Sequence, residues 1–257
     1  MTSRVEGIGR CFQHSTGIQI PKLMYVSTRC VSLHHQAGSA MPMTVDTPRI
    51  PSALEAVIRP TLPMQRMRIQ LHEPLSRAEF QALCAKNEGL SIEQNPDGTL
   101  TIMSPTGGLS SARNSVITQY LGQWSEDEKK GISFDSNGMF ELPTGSIRAP
   151  DAAWVRRDRF ASLSQDEQAG VVPLAPDFVI ELRSPTDPLD ALKNKMNEYT
   201  RAGVQLGWLI DPETETVSIY QPDTRVATLD RPDTVTADEV VDGFVLPMAR
   251  VWDPLTE

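Results

Sequence analysis

Three side chains in this sequence are of types that can do chemistry together: Asp151, Glu181 and Lys195. Asp151 lies in the run Ala149-Pro150-Asp151-Ala152-Ala153-Trp154-Val155, whose other members are small or apolar. Such a strand is expected to be buried, and burial penalises a carboxylate unless it is paired or ligates a cation. Thirty residues later comes Phe178-Val179-Ile180-Glu181-Leu182-Arg183. Strand alternation turns Phe178, Ile180 and Leu182 one way and Val179, Glu181 and Arg183 the other. Two strands of one sheet can therefore bring Asp151 and Glu181 to a common face. Two hard carboxylates suit Mg²⁺, or Mn²⁺ in its place, which is held by one or two such groups plus water and substrate phosphate. A cation there polarises a phosphate and lowers the pKa of an attacking water, the chemistry that phosphodiester hydrolysis needs.

A positive group is wanted beside that centre. On the helix expected from Pro188 to Ala202, Leu189, Leu192, Met196 and Tyr199 form the apolar stripe. Lys195 falls about 60° from Leu192, at the stripe's edge, whereas Lys193 falls on the other side and is expected in solvent. Each residue also has a plainer reading. Asp151 after Pro150 could start a strand or cap a turn. Glu181 could be in a buried salt bridge to Arg183 or Arg148. Lys195 could be an ordinary solvated helix lysine. The three in this order are more specific than any one of them.

The elements around them follow from local signals. Ser76, with Glu79 three residues on, is a capping box that opens a helix to Asn87. A hairpin follows: Leu90 to Gln94, the turn Asn95-Pro96-Asp97-Gly98, then Thr99 to Met103. A long helix is expected from 110 to 130, with Gly131 as its C-cap. Strands come next at Ile132 to Asp135, Met139 to Leu142 and Ile147 to Val155. Residues 156 to 168 read as a polar, mostly helical insertion. After the Phe178 strand, Asp187 suits the N-cap and Pro188 the first position of the next helix. Leu206 to Ile210 is a further strand, Val217 to Gln221 with Arg225 to Leu229 a closing hairpin, and Val241 to Val251 a last short element. The expected class is α/β, with a mixed central sheet flanked by helices and an N-terminal hairpin.

The chain has 257 residues and a net charge of −9. Residues 1 to 44 carry +3, so the remainder carries −12. That balance is poor for a whole surface that must hold DNA, whose affinity comes largely from phosphate neutralisation. It does not speak against a single cleft. Three separated cysteines suggest neither a disulfide framework nor a zinc site and fit a reducing, cytoplasmic compartment. No apolar run approaches the roughly 20 residues that span a bilayer. Residues 1 to 66 show no sustained period, and 42 to 64 hold five prolines. This stretch reads as a poorly ordered extension, either a targeting segment or the product of an overextended start ahead of Met64 or Met67. The folded domain is expected from Leu71 to Asp253.

These motifs together resemble the Uma-two family of restriction endonucleases. The resemblance rests on Ile102 to Gly108 (Ile-Met-Ser-Pro-Thr-Gly-Gly) and on Asp151 within Ala-Pro-Asp. It also rests on Glu181 within Val-Ile-Glu-Leu-Arg-Ser-Pro-Thr-Asp, on Lys195 to Tyr199, and on Gly-Trp-Leu-Ile-Asp-Pro at 207 to 212. It implies a PD-(D/E)xK core, with Asp151 and Glu181 as the metal-binding acids and DNA as the substrate. The lysine of the acid-x-Lys motif is replaced by Arg183, which keeps the charge but has another shape and is never deprotonated. Lys195 on the following helix would then supply the lysine. The class also uses a glutamate on the early helix. Asn114-Ser115-Val116 has no acid there, and Asn114 or Glu93 would have to stand in. By analogy such proteins often form homodimers. Three functions stay open: a Mg²⁺-dependent DNA endonuclease, a non-catalytic module of the same fold that binds nucleic acid or protein, and a hydrolase of small phosphoesters.

Overall fold

The computed structural model describes residues 66–103, 106–236 and 240–256. The expectations for the N-terminal extension lie outside the described residues, except at Arg66. The first layer is a five-stranded antiparallel sheet. It contains β1 (Arg66–Gln70), β2 (Ser91–Gln94), β3 (Thr99–Met103), β5 (Phe140–Glu141) and β6 (Ile147–Arg148), in the order β1-β3-β2-β6-β5. The expected hairpin is β2–β3, with Gly98 in the positive-φ turn position. The described residues thus include a strand ahead of Leu71. Met67 and Ile69 of β1 pack on the core beneath α1 (Arg77–Lys86), together with Phe80, Ile92 and Ile102. A five-residue strand with two arginines and a glutamine is too short and polar to stand out by pattern alone. The capping box of α1 forms as expected, with the Ser76 side chain on the Glu79 N–H and the Glu79 carboxylate on the Ser76 N–H.

The second layer is a six-stranded mixed sheet. Its order is β11-β10-β9-β8-β7-β4, with β4 (Gly131–Asp135), β7 (Ala152–Arg156), β8 (Phe178–Leu182), β9 (Leu206–Asp211), β10 (Thr216–Tyr220) and β11 (Ala227–Asp230). Only β8 and β9 run parallel, joined through α5 (Leu189–Arg201). The side-chain alternation expected for β8 holds. Phe178, Ile180 and Leu182 pack with Val116, Ile117 and Leu121 of α2 (Gly108–Glu128) on one face. Val179 packs with Leu192, Met196 and Tyr199 of α5 on the other. Gly207 leaves room for the end of the Met196 side chain: a Cβ there would stand 2.5 Å from its Cε. The polar stretch after β7 contains α3 (Arg157–Ala161) and α4 (Gln165–Ala169). A two-stranded ribbon, β12 (Thr234–Thr236) with β13 (Val245–Pro247), and α6 (Ala249–Trp252) close the chain over α2.

Several expectations are corrected. The strand expected from Ile147 to Val155 is two strands in two different sheets, broken at residues 149–151. Pro150 has no N–H to give to a ladder, so the pairing stops there and the chain crosses between layers. Asp151 therefore sits at the crossover and not inside a strand. Pro188 itself is the N-cap of α5, and Asp187 instead accepts from the Ser184 N–H and pairs with Arg66. The C-cap of α2 is Lys129, in the left-handed region at φ 56°, and not Gly131. β12 is not foreseen, because Thr-Val-Thr is too short to show a period.

Gly131 has a different task. A Cβ on it would lie 2.2 Å from Trp154 Cε2, so the indole of β7 occupies the space that a side chain at this position of β4 would need. Gly131→Ala should lower stability by about 1–3 kcal/mol, the usual cost of overpacking a close-packed core. Chemical denaturation of the two proteins checks this, and an unchanged midpoint would show that Trp154 has room to move.

Candidate active site

Asp151 directly precedes Ala152, which pairs with Ile180. Its carboxylate thereby reaches the end of β8, where Oδ2 accepts the Leu182 N–H at 2.8 Å. Oδ1 accepts from Asn114 Nδ2 of α2 at 2.9 Å. Glu181, one residue before Leu182, is buried on the α5 side. Its Oε1 receives the Tyr199 hydroxyl at 2.9 Å and lies 2.8 Å from Lys195 Nζ. Lys195 and Tyr199 are four apart on α5 and so share a face of the helix. The expected trio therefore does come together, and Lys193 is exposed as expected. The rival salt bridges for Glu181 do not form. Arg148 pairs with Glu198 and faces Glu93, while Arg183 pairs with Asp211.

Arg183 stands apart from this centre. Its Nη1 lies 2.8 Å from Asp211 Oδ2 and 2.9 Å from Glu213 Oε2, and its Nε donates to the Asp187 carbonyl. It ties the end of β8 to β9 and to the turn before α5. Glu93, which sequence reasoning holds only as a stand-in acid, is in the cluster: its Oε1 lies 2.6 Å from Lys195 Nζ. By pattern alone Tyr199 is only a core residue, and Arg148 only a rival partner for Glu181. The one local signal is Glu93 itself, an acid in the strand Ser91–Gln94, which has three of its four residues buried.

Burial dominates the electrostatics. It raises the Asp151 carboxyl above its ordinary value, against the Leu182 N–H, the Lys195 charge and the Asn114 amide, all of which favour the anion. It pushes Glu181 up to about 7, with the Asp151 and Glu93 charges adding to the shift and Lys195 opposing it. Burial would lower Lys195, but the Glu181 and Glu93 carboxylates outweigh it and hold the ammonium firmly charged. Glu93 goes the other way. Burial disfavours its charge, but Lys195 and Arg148 overcome this and keep it ionised.

The residues fit a hard cation in one respect and limit it in another. Asn114 Oδ1 is buried with no hydrogen-bond partner, a cost that a cation or a water would remove. Glu181 has both of its described donors on Oε1. Among the described residues, however, no three His, Cys, Asp or Glu side chains converge as a metal site. A cation would have Asp151, Glu181 and the Asn114 amide oxygen, and otherwise water and substrate oxygens, a donor set of the kind Mg²⁺ accepts. Asn114 also opens onto a polar cleft of about 470 Å³, lined by Ser111, Ser115, Thr118, Asp135 and Ser136 among others, with no lysine or arginine among the described residues.

A family model described as "Putative restriction endonuclease", Uma2, matches residues 77–249. Among solved structures, the chain is similar to the crystal structure of a putative nuclease belonging to DUF820 from Anabaena variabilis. The two share 22% identity and a TM-score of 0.56, and the match covers 70% of this chain and 98% of that one. At that identity the likeness is one of fold. None of the curated proteins matches.

An acid whose pKa is raised by folding weakens the fold once pH exceeds its unfolded value of about 3.9. Asp151→Asn removes that penalty, and Asn114 can rotate its amide to accept from the new side chain. In EDTA at pH 7 the variant should melt higher than the wild type, with the gain vanishing below about pH 4, where both side chains are neutral. Thermal melts across pH check this, and a lower melting temperature at pH 7 would mean that the Asp151 charge is itself holding the fold.

Proposed function

This chain belongs to the Uma2 family, described as putative restriction endonucleases, and from that premise we propose that it is a DNA endonuclease dependent on Mg²⁺ or Mn²⁺. In this reading Asp151 and Glu181 are the cation-binding acids and Lys195 is the positive group beside the reacting phosphate.

The observation that carries the reading is a charge imbalance. Glu181, Glu93 and Glu198 form one connected network with Lys195 and Arg148, and the Asp151 carboxylate stands near enough to disfavour the Glu181 charge. Four carboxyl groups there face two cations, largely out of water, and two of the four, Asp151 and Glu181, are raised above their ordinary values. A structural ion-pair network has reason to balance its charges. An excess of acid at the end of β8 is what a divalent cation would offset, and its open coordination positions would then take water and a substrate phosphate. When bound, such a cation would polarise the phosphate and favour deprotonation of a water. The chain's own groups do the rest. Asn114 and the Leu182 N–H fix both oxygens of Asp151. Tyr199 and Lys195 fix one oxygen of Glu181. Lys195, charged across the ordinary pH range, favours the negative charge that develops on the phosphate.

A second reading has its own support. Among the described residues the cleft beside Asn114 carries Asp135 and no basic residue, the stretch Asn114-Ser115-Val116 of the early helix has no acid, and Arg183 is tied to Asp211. Those features suit a module that keeps the fold and binds without cutting.

Supercoiled plasmid and single-stranded DNA, each incubated with the full chain in Mg²⁺, Mn²⁺ or EDTA, separate the two. We expect metal-dependent nicking that falls to background in Asp151→Ala and Glu181→Ala. Lys195→Met should cut on the order of 10²–10³-fold more slowly with metal binding kept, the usual loss for one transition-state charge contact. A folded wild type that cuts nothing in any metal would favour the non-catalytic module.

A further inference from the structure

Glu93 belongs to the five-stranded sheet, yet its carboxylate enters a centre built on the six-stranded one. Oε1 lies 2.6 Å from Lys195 Nζ and accepts the Ala149 N–H at 3.1 Å. Oε2 faces Arg148 Nη1 at 3.9 Å. Lys195 Nζ also donates to the Ala149 carbonyl at 3.5 Å. Glu93 and Lys195 thus hold both backbone polar groups of Ala149, two residues before Asp151. Arg148 in turn reaches Glu198, three residues beyond Lys195 on α5, at 2.5 Å, and donates to the Gln94 carbonyl and Asn95 Oδ1. Both oxygens of Glu93 face protein cations, whereas Glu181 has its described donors on Oε1 alone and keeps Oε2 for a metal ion.

We infer that Glu93 is a positioning residue that fixes where the Lys195 ammonium stands, and that it is not a ligand of the cation. This rests on the reading of Asp151, Glu181 and Lys195 as a centre for phosphodiester hydrolysis. Lys195 is a flexible side chain on a helix edge. With Glu181 as its single carboxylate, it would keep beside that contact only the longer one to the Ala149 carbonyl at 3.5 Å. A second carboxylate from the opposite sheet confines it to the line between the two. A role limited to gluing the sheets together would affect stability and leave the lysine's contribution to the rate alone.

The test compares the full-length wild type, E93Q, K195M and the double variant. The amide oxygen introduced by E93Q can still accept the Ala149 N–H, so this substitution removes mainly the charge that holds Lys195. Mn²⁺ binding is followed by electron paramagnetic resonance, nicking is timed at saturating Mn²⁺, and melts are run in EDTA. We expect E93Q to bind Mn²⁺ within about twofold of wild type and to nick at least tenfold more slowly. The double variant should nick no more slowly than K195M alone, because contacts that act as a unit are not additive. Loss of Mn²⁺ binding in E93Q would make Glu93 a ligand and overturn the inference, as would a wild-type rate or additive losses in the double variant. If the wild type nicks nothing, the nuclease reading falls and the melts decide this one. A drop in the double variant smaller than the sum of the single drops supports the Glu93–Lys195 link, and a drop equal to the sum overturns it. Should E93Q fail to melt cooperatively, E93D, which draws the carboxylate back by one methylene, replaces it under the same outcomes.

Discussion

The architecture turns on one largely buried ammonium held between two carboxylates from different sheets. Lys195 meets Glu181 of β8 and Glu93 of β2 within 2.8 Å each. Removing such charges from water costs several kcal/mol per ion, and their attraction repays this only when geometry is good and the remaining lone pairs are satisfied. Here most of the remaining positions are taken: Tyr199 supplies a hydroxyl to Glu181 Oε1, Ala149 an N–H to Glu93, and Arg148 a second cation, while Glu181 Oε2 has no described donor. The arrangement therefore requires α5, the crossover at residues 149–151 and the β2–β3 hairpin to keep fixed relative positions.

That requirement gives the five-stranded sheet a reason to exist. The six-stranded sheet with α2 and α5 already has apolar cores on both faces. The extra sheet has its own core beneath α1, and it delivers Glu93 and, through β6, Arg148 to the centre. The chain leaves this sheet at Arg148 and enters the other at Ala152, so the acid Asp151 sits in the short span that joins them. Pro150 prevents that span from extending either ladder.

The charge distribution bears on how a polyanion would be held. The sequence carries −9, and the cleft beside Asn114 offers hydroxyls, amides and an aspartate. Counterion release from lysine–phosphate contacts would contribute little in such a cleft. On the proposed reading, hydrogen bonds from side chains and the electrostatics of the centre itself carry more of the binding than a basic surface does.

Much of this was legible in the sequence. The capping box at Ser76, the Asn-Pro-Asp-Gly turn, the alternation of β8 and the amphipathic face of α5 are local patterns, set by backbone geometry and by which faces must leave water. They sufficed to bring forward Asp151, Glu181 and Lys195, and to expect a mixed sheet with helices on its faces. What they could not decide depends on pairing between distant segments. Whether Ile147 to Val155 is one strand or two depends on which partners each half finds, and β2 and β8 lie in different sheets. Whether the substituted position of the acid-x-Lys motif serves the centre depends on Asp211, 28 residues away, which takes Arg183 at the end of β9. Glu93 reads as an isolated acid in a short strand until the hairpin is docked, and only then does it face Lys195, 102 positions later in the chain. Local order follows from short-range sterics and periodicity, but the partner of a buried charge is chosen by the long-range packing that removes it from water.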